Sequence, residues 1–298
     1  MIDFEKSMGW QERIAGTAFL CCALVSVGTS LAILTVLIAE SWHFFEHVGL
    51  WHFLTHTTWS PLFANPTYGI LPLVGGTLLS SAVGLTIAIP MGLVMAIYLS
   101  DFASETTRNW VKPLLELLAG VPTVVFGYFA LLVITPSLQS TILPNLQGFN
   151  ILSAGIAIGL MIIPYVCSLS EDALRSVPMT LREASLALAS TKIYTSCRVV
   201  FPAALSGIAS AVILAFSRAV GETMIVAIAA GQQPNLTWDV TQSAATITAY
   251  IVQVALGDLP HASVGYQSIF AAGLVLFVIT FTFNILGFWL RKRFREQY

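Results

Sequence analysis

The sequence predicts an all-α protein that crosses a membrane six times. Hydrophobic residues make up 56% of the chain and charged residues 9%, against soluble averages of roughly 45–50% and 25%. The apolar residues also gather into six runs, each long enough for a hydrocarbon core that takes about 20 residues per helix. Finally, the basic residues fall in alternate loops. Lipid cannot satisfy backbone amides, so each run is expected to be helical. The alternating segments of about 10 residues that a transmembrane barrel needs do not occur.

The first run, Ile14–Ala39, follows Lys6 and Arg13. It is much longer than the roughly 7–15-residue core of a cleavable signal, so it is expected to be a retained anchor. An outer loop, 40–69, follows; its His, Trp, Phe and Pro content suggests a short interfacial helix and a turn. The second run is Ile70–Leu99, the third Leu114–Ile134 and the fourth Ile151–Leu169. A basic loop, 170–203, leads to the fifth run, Gly207–Ala230. The next loop, 231–269, holds the apolar stretch Ser243–Leu256, too short to span and suited to an interfacial or re-entrant helix. The sixth run is Phe270–Leu290. No repeat or low-complexity linker interrupts the chain, so residues 1–298 are expected to form one integral domain.

Lys6, Arg13, Arg108, Lys112, Arg175, Arg182, Lys192, Arg198, Arg291, Lys292, Arg293 and Arg295 lie on one side of this six-span scheme. The opposite loops, 40–69, 135–150 and 231–269, contain no Lys or Arg. The positive-inside rule places both termini and the 170–203 loop in the cytoplasm. All seven Trp residues fall outside the span centres, as interfacial aromatics should. Cys21, Cys22, Cys167 and Cys197 have no spacing that suggests a disulfide framework or a zinc site.

Two polar features stand out against this background. One is the loop segment Glu183–Pro202, in which small residues at 184, 185, 187 and 189 precede Pro202. Glu183 can serve as a helix N-terminal carboxylate near Thr180. Alternatively, the small side chains let a short helix sit close in a partner's groove. The other is Arg218 and Glu222 inside the fifth run. A charge at the centre of a membrane helix costs about 2.5–3.5 kcal/mol, so these two must pair or face a polar cavity. Four-residue spacing makes an intrahelical pair possible, and Ala211 and Ala215 continue the same face. That pair fixes packing, or else Arg218 meets an anion, whose oxygens its forked donors match. Glu116, expected just inside the third span, is either a helix-terminal carboxylate or an alternative partner of Arg218.

The loop resembles the EAA segment of ABC importer permeases. Glu183, Ala184, Ala189, Val199 and Pro202 keep the family's spacing, while Ser185 stands for an Ala, Ala189 for the Gly and Phe201 for a Leu. The run Ser217-Arg-Ala-Val-Gly-Glu-Thr-Met224 resembles the fifth-span signature of bacterial phosphate importer permeases. Glu116-Leu-Leu-Ala-Gly-Val-Pro-Thr-Val-Val-Phe-Gly127 resembles their third-span signature, and both lean towards the PstC type rather than the PstA type.

The resemblance implies a type I (MetI-like) permease fold in the bacterial inner membrane. It also implies that this subunit moves phosphate with a second permease, an ATPase and an extracytoplasmic phosphate-binding protein. Glu183, Ala184, Ser185, Ala189 and Pro202 would then couple to the ATPase, and Arg218, Glu222 and Glu116 would be candidates for the path. Sulfate or molybdate is the alternative cargo, and an intramembrane enzyme the alternative class.

No phosphate-binding Gly-x-x-x-x-Gly-Lys loop occurs, so ATP is expected to bind the partner. No cofactor, catalytic residue or nucleic-acid partner is expected in this chain, and membrane lipid surrounds it. His43/His47 and His52/His56 have the spacing to hold a metal, but no accompanying ligands, so packing or docking is the expected role.

Overall fold

The computed structural model describes residues 2–61, 63, 65–260 and 263–293, with side chains described outside 2–8, 11 and 290–293. The flanking charges Lys6, Arg291, Lys292, Arg293 and Arg295 therefore lie outside the described side chains. Helix α1, Ile2–His47, is 46 residues long, or about 69 Å at 1.5 Å per residue. It carries the first span and runs on into the expected outer loop. After α2, Leu50–Thr55, helix α3, Leu71–Ile97, continues through a π-helical turn, Tyr98–Phe102, as the second span.

The third span differs from expectation. Residues Leu114–Ala119 belong to α4, Glu105–Ala119, an amphipathic helix with no buried residue. Gly120 closes it, and Pro122, which has no N–H to donate, starts a new helix. The span itself is Thr123–Thr141. It comprises α5, Thr123–Phe129, a π-helical turn, Ala130–Ile134, and α6, Thr135–Thr141.

Helix α7, Ile151–Arg175, is the fourth span, with its N-terminus capped by Asn150 Oδ1 accepting from the Ser153 amide at 2.7 Å. The coupling segment follows as α8, Met179–Ala187, α9, Lys192–Thr195, a π-helical turn, Ser196–Val200, and α10, Phe201–Ala203. Helix α11, Leu205–Val220, is bent by 72° from the preceding helical stretch, Lys192–Ala203. This bent pair stands where the fifth crossing is expected, and the continuous helix Gly207–Ala230 is not formed: the chain leaves the helix at Gly221 and resumes as α12, Met224–Ala229. Helix α13, Ile247–Ala255, and α14, Val264–Arg293, complete the chain. Among the described residues, five helices are long and apolar enough to cross a membrane, and six if the bent pair counts as one.

The bundle is organised around α3 and α7. Their backbones approach at Gly84 and Gly159. A Cβ on Gly84 would lie 2.9 Å from Ile158 Cγ2, and one on Gly159 would lie 2.8 Å from the Gly84 carbonyl. Small residues of this kind let membrane helices pack through dispersion where no hydrophobic force acts between them. Helix α11 packs on this pair, α14 on α11, and α1 on α14.

The loop 40–69 is built into the fold. Phe44, Phe53, Trp59, Tyr68 and Tyr250 form one buried aromatic cluster, with the Trp59 and Tyr250 rings edge to face at 5.0 Å. Trp59 is thus a core residue, not an interfacial one; Trp10, Trp42, Trp51, Trp110, Trp238 and Trp289 are exposed. The short helix expected near 243–256 is α13. It is lodged in the bundle: the Ile247 amide donates to Thr77 Oγ1 at 3.0 Å, and Thr248 Oγ1 to the Glu222 carbonyl at 2.7 Å.

Candidate functional site

Arg218 sits in the last turn of α11, and Ala211 and Ala215 on the same face are buried. Its guanidinium carbon lies 4.2 Å from the ring centroid of Tyr165 on α7. A cation over an aromatic face is attracted by the ring quadrupole. The Arg218 Nε is buried and has no hydrogen-bond partner.

Glu222 does not pair with it. The helix ends at Val220, so the four-residue rule no longer governs where residue 222 points. Glu222 Oε1 instead accepts from the Met224 and Ile225 amides, each at 3.2 Å, and so satisfies the start of α12. Its carbonyl holds Thr248 of α13. Glu222 is a buried joint between α11, α12 and α13.

Glu116 is also displaced from its expected place. It is an exposed residue near the C-terminal end of α4, outside the span, where a carboxylate opposes the helix dipole. It lines a cavity of about 230 Å³ together with Lys112, Tyr165, Ser168 and Glu171. Tyr165 thus borders both Glu116 and Arg218, but among the described residues these two form no ion pair. The two signature runs do meet. Gly127 on α5 faces α12, where a Cβ would lie 3.0 Å from Ile228 and 3.3 Å from the Met224 carbonyl.

The coupling segment has a defined geometry. Glu183 and Ala184 are exposed on α8. The helix starts at Met179 and has no acidic residue in its first turn, so Glu183 is not the N-terminal carboxylate expected near Thr180. Ser185 is buried, its Oγ 2.9 Å from Thr195 Oγ1 on α9, which gives the hydroxyl a task the family's Ala lacks. Ala189 ends α8 in the left-handed region, at φ 57°. The Ala189 amide donates to the Leu186 carbonyl at 2.9 Å and the Ser190 amide to the Ser185 carbonyl at 3.4 Å, the paired bonds of a Schellman cap. A Gly at this position adopts the cap without Cβ strain. Pro202 lies in the first turn of α10, just before the bend into α11.

A charge cluster at the C-terminal end of α7 was not read from the sequence. Glu171, fully buried on α7, meets Arg108 Nε at 2.6 Å, Lys112 Nζ at 3.0 Å and Arg175 Nη1 at 3.9 Å. Lys112 also reaches Asp172 at 3.3 Å. Partial burial alone would lower the Lys112 pKa, but the bonds and charges of Glu171 and Asp172 outweigh it and hold the pKa above its ordinary value. Arg182 on α8 is paired with Asp101, which ends the second span, and donates through Nη2 to the Leu174 carbonyl at 2.8 Å. The sequence signal for all of these was the set of carboxylates Asp101, Glu171 and Asp172 on the basic side of the topology.

The histidines sit as local pairs. His47 Nδ1 is 3.0 Å from the His43 carbonyl, and the His52 and His56 rings are 4.3 Å apart. Among the described residues, no three His, Cys, Asp or Glu side chains gather as a metal site.

A family model described as "binding-protein-dependent transport system inner membrane component" matches residues 88–296. The chain is 33% identical over 308 residues to the "probable ABC transporter permease protein YqgH" of Bacillus subtilis, covering 98% of this chain and 99% of that protein. It is 32% identical to the "phosphate transport system permease protein PstC" of Mesorhizobium japonicum, over 82% of this chain and 79% of that one. It is 29% identical to "PstA 1" of Mycobacterium tuberculosis, over 94% and 88%.

Among solved structures, a bacterial ABC transporter for the acidic polysaccharide alginate superposes with a TM-score of 0.68 at 16% identity, over 96% of this chain and 99% of that one. The inward-facing MetNI methionine transporter gives 0.56 at 17% identity, over 76% and 95%. The fold is that of type I ABC importer permeases.

Proposed function

Because the chain belongs to the binding-protein-dependent transport system inner membrane components and is an ABC importer permease, we propose that it carries inorganic phosphate inward across the bacterial cytoplasmic membrane. In this reading residues 1–298 act as one integral domain with both termini in the cytoplasm. A second permease completes the path, a separate ATPase drives it, and an extracytoplasmic binding protein delivers the anion. The ATPase receives α8 and its cap, through Glu183, Ala184, Ser185 and Ala189, while Pro202 sets the bend that follows.

The observation that carries the phosphate reading is the state of Arg218. Its guanidinium lies against an aromatic face, and among the described residues no carboxylate forms an ion pair with it. Guanidinium donors match phosphate oxygens in spacing and stay charged at every relevant pH. Kinship with proteins named phosphate permeases supports the same substrate. Glu222 belongs to the path as the residue that fixes the break beside Arg218, and Glu116 as a carboxylate at its cytoplasmic approach.

The test is uptake into vesicles holding the full complex, with ATP inside and binding protein outside. Phosphate should accumulate, and Arg218→Ala should lower the rate by at least about tenfold, the loss of roughly 1.4 kcal/mol of charge-assisted contact. Accumulation of sulfate or molybdate in place of phosphate would overturn the substrate assignment.

A further inference from the structure

We propose that Arg182 is the joint through which movement of α8 reaches the cytoplasmic ends of the second and fourth spans. Helix α8 packs chiefly on α9 and the π-helical turn Ser196–Val200. Beside it lies a cleft of about 680 Å³, lined by Asp101, Arg108, Arg182, Leu186, Lys192 and Ser196 among others. Backbone packing therefore ties α8 chiefly to the start of the fifth crossing; Leu181 packs on the apolar cluster that includes Leu99 and Leu174, and the polar contact with those two spans depends on Arg182.

Arg182 makes that contact with both arms of its fork. Nη1 donates to Asp101 Oδ1, and Nη2 to the Leu174 carbonyl in the last turn of α7. The two side chains are largely withdrawn from water, at 15% and 3% exposure. One planar group thus ties α8 to two segments, 81 and 8 residues away from it along the chain. Lys192, which lines the same cleft, lies over the Phe102 ring at 5.2 Å.

The joint has room to change state. Asp101 Oδ1 accepts from both Arg182 and Ser100, while Asp101 Oδ2 is buried with no partner. If Nη2 leaves the Leu174 carbonyl, the empty oxygen offers it a second seat and the pair becomes bidentate, the strongest geometry for Arg and carboxylate. The link to the second span is kept in both arrangements, and the link to the fourth is made or released.

This inference rests on α8 being the element that the ATPase moves. Its test measures phosphate transported per ATP hydrolysed by the reconstituted complex. Arg182→Lys keeps the charge but loses the fork. It should assemble and hydrolyse ATP within about twofold of normal, while the ratio falls at least about fivefold, because one ammonium cannot serve both acceptors in fixed geometry. Asp101→Asn should lower the ratio as well. An unchanged ratio in assembled Arg182→Lys complex overturns the joint.

Hydrogen exchange on the wild-type complex gives a measurement that needs no variant. On ATP binding, residues 179–187, 98–102 and 172–176 should change protection together. Change in 179–187 with the other two constant overturns the joint alone. No change in 179–187 overturns the coupling reading and the joint with it.

Discussion

Glu171 and the ring under Arg218 both belong to α7, six residues apart, which is about 9 Å along the helix. Each is a place where charge is taken out of water, and each handles it differently. Glu171 is wholly buried and meets three cations within 4 Å. Arg218 meets a ring, has no carboxylate partner among the described residues and keeps a buried nitrogen unbonded. The carboxylate is enclosed by its partners and so pins α4 against α7. The arginine is oriented but not neutralised, which leaves its charge available. Glu171 is fully buried and Arg218 only partly so, and it is the partner list, more than the burial, that tells structure from traffic.

The sharpest way to break this comparison is to remove Glu171. Glu171→Ala leaves Arg108 and Lys112 facing each other with no shared acceptor. Stranding a buried pair typically costs about 3–5 kcal/mol, so thermal unfolding of the assembled complex in detergent should show a loss of that order. Arg175→Ala removes only a long, half-exposed contact, and should shift stability by under about 0.5 kcal/mol. Equal effects from the two variants would mean that Glu171 is not the centre of the cluster.

Next in size is the relation between Arg218 and Glu222. The sequence puts them four apart, and a pair in contact would couple by about 0.5–3 kcal/mol in a double-mutant cycle. The structure separates their partners, so the coupling should be below about 0.5 kcal/mol. Glu222→Ala should cost about 1 kcal/mol through loss of the cap on α12, whether or not Arg218 is present. Transport divides the two in another way. Glu222→Gln keeps an acceptor at Oε1 and should retain import, while Arg218→Ala should not. A coupling above about 1 kcal/mol would restore the ion pair.

The unequal legibility of these residues has a physical cause. Span positions follow from total hydropathy, which is why α3, α7 and α14 lie where the apolar runs predict. Breaks in spans depend on one or two residues that hydropathy barely weighs. Gly120 and Pro122 separate α4 from the third span, and Gly221 ends α11 before Glu222. Once the helix ends, the four-residue rule fails with it, and the expected pair disappears. Glu171 was hidden because topology is read from Lys and Arg, whereas carboxylates contribute little to that rule. The EAA-like spacing was legible because it is a pattern of identities, but the work of Ser185 and the backbone angle at Ala189 could only come from geometry.

Ala189 yields the smallest effect, and its sign depends on two opposed terms. A left-handed residue with a Cβ is strained by roughly 1–2 kcal/mol, and Ala189 at φ 57° carries that strain in the folded state. Replacing it with Gly removes the strain but loosens the unfolded chain, which costs about 0.4–1 kcal/mol. The folded-state term is the larger, so Ala189→Gly should stabilise by about 0.5–1 kcal/mol. Both bonds of the cap are main-chain and survive the change, so α8 should keep its length and import should stay near the unsubstituted rate. Ala189→Trp should do the reverse at the exposed cap: little change in membrane insertion, but loss of import through steric conflict with the ATPase. Circular dichroism melts of the purified subunit test the first claim, and vesicle uptake normalised to assembled complex tests the second. A melt that drops for Ala189→Gly would mean that the left-handed angle is not held in the membrane. That would also remove the physical reason for a Gly in the family's pattern at this position.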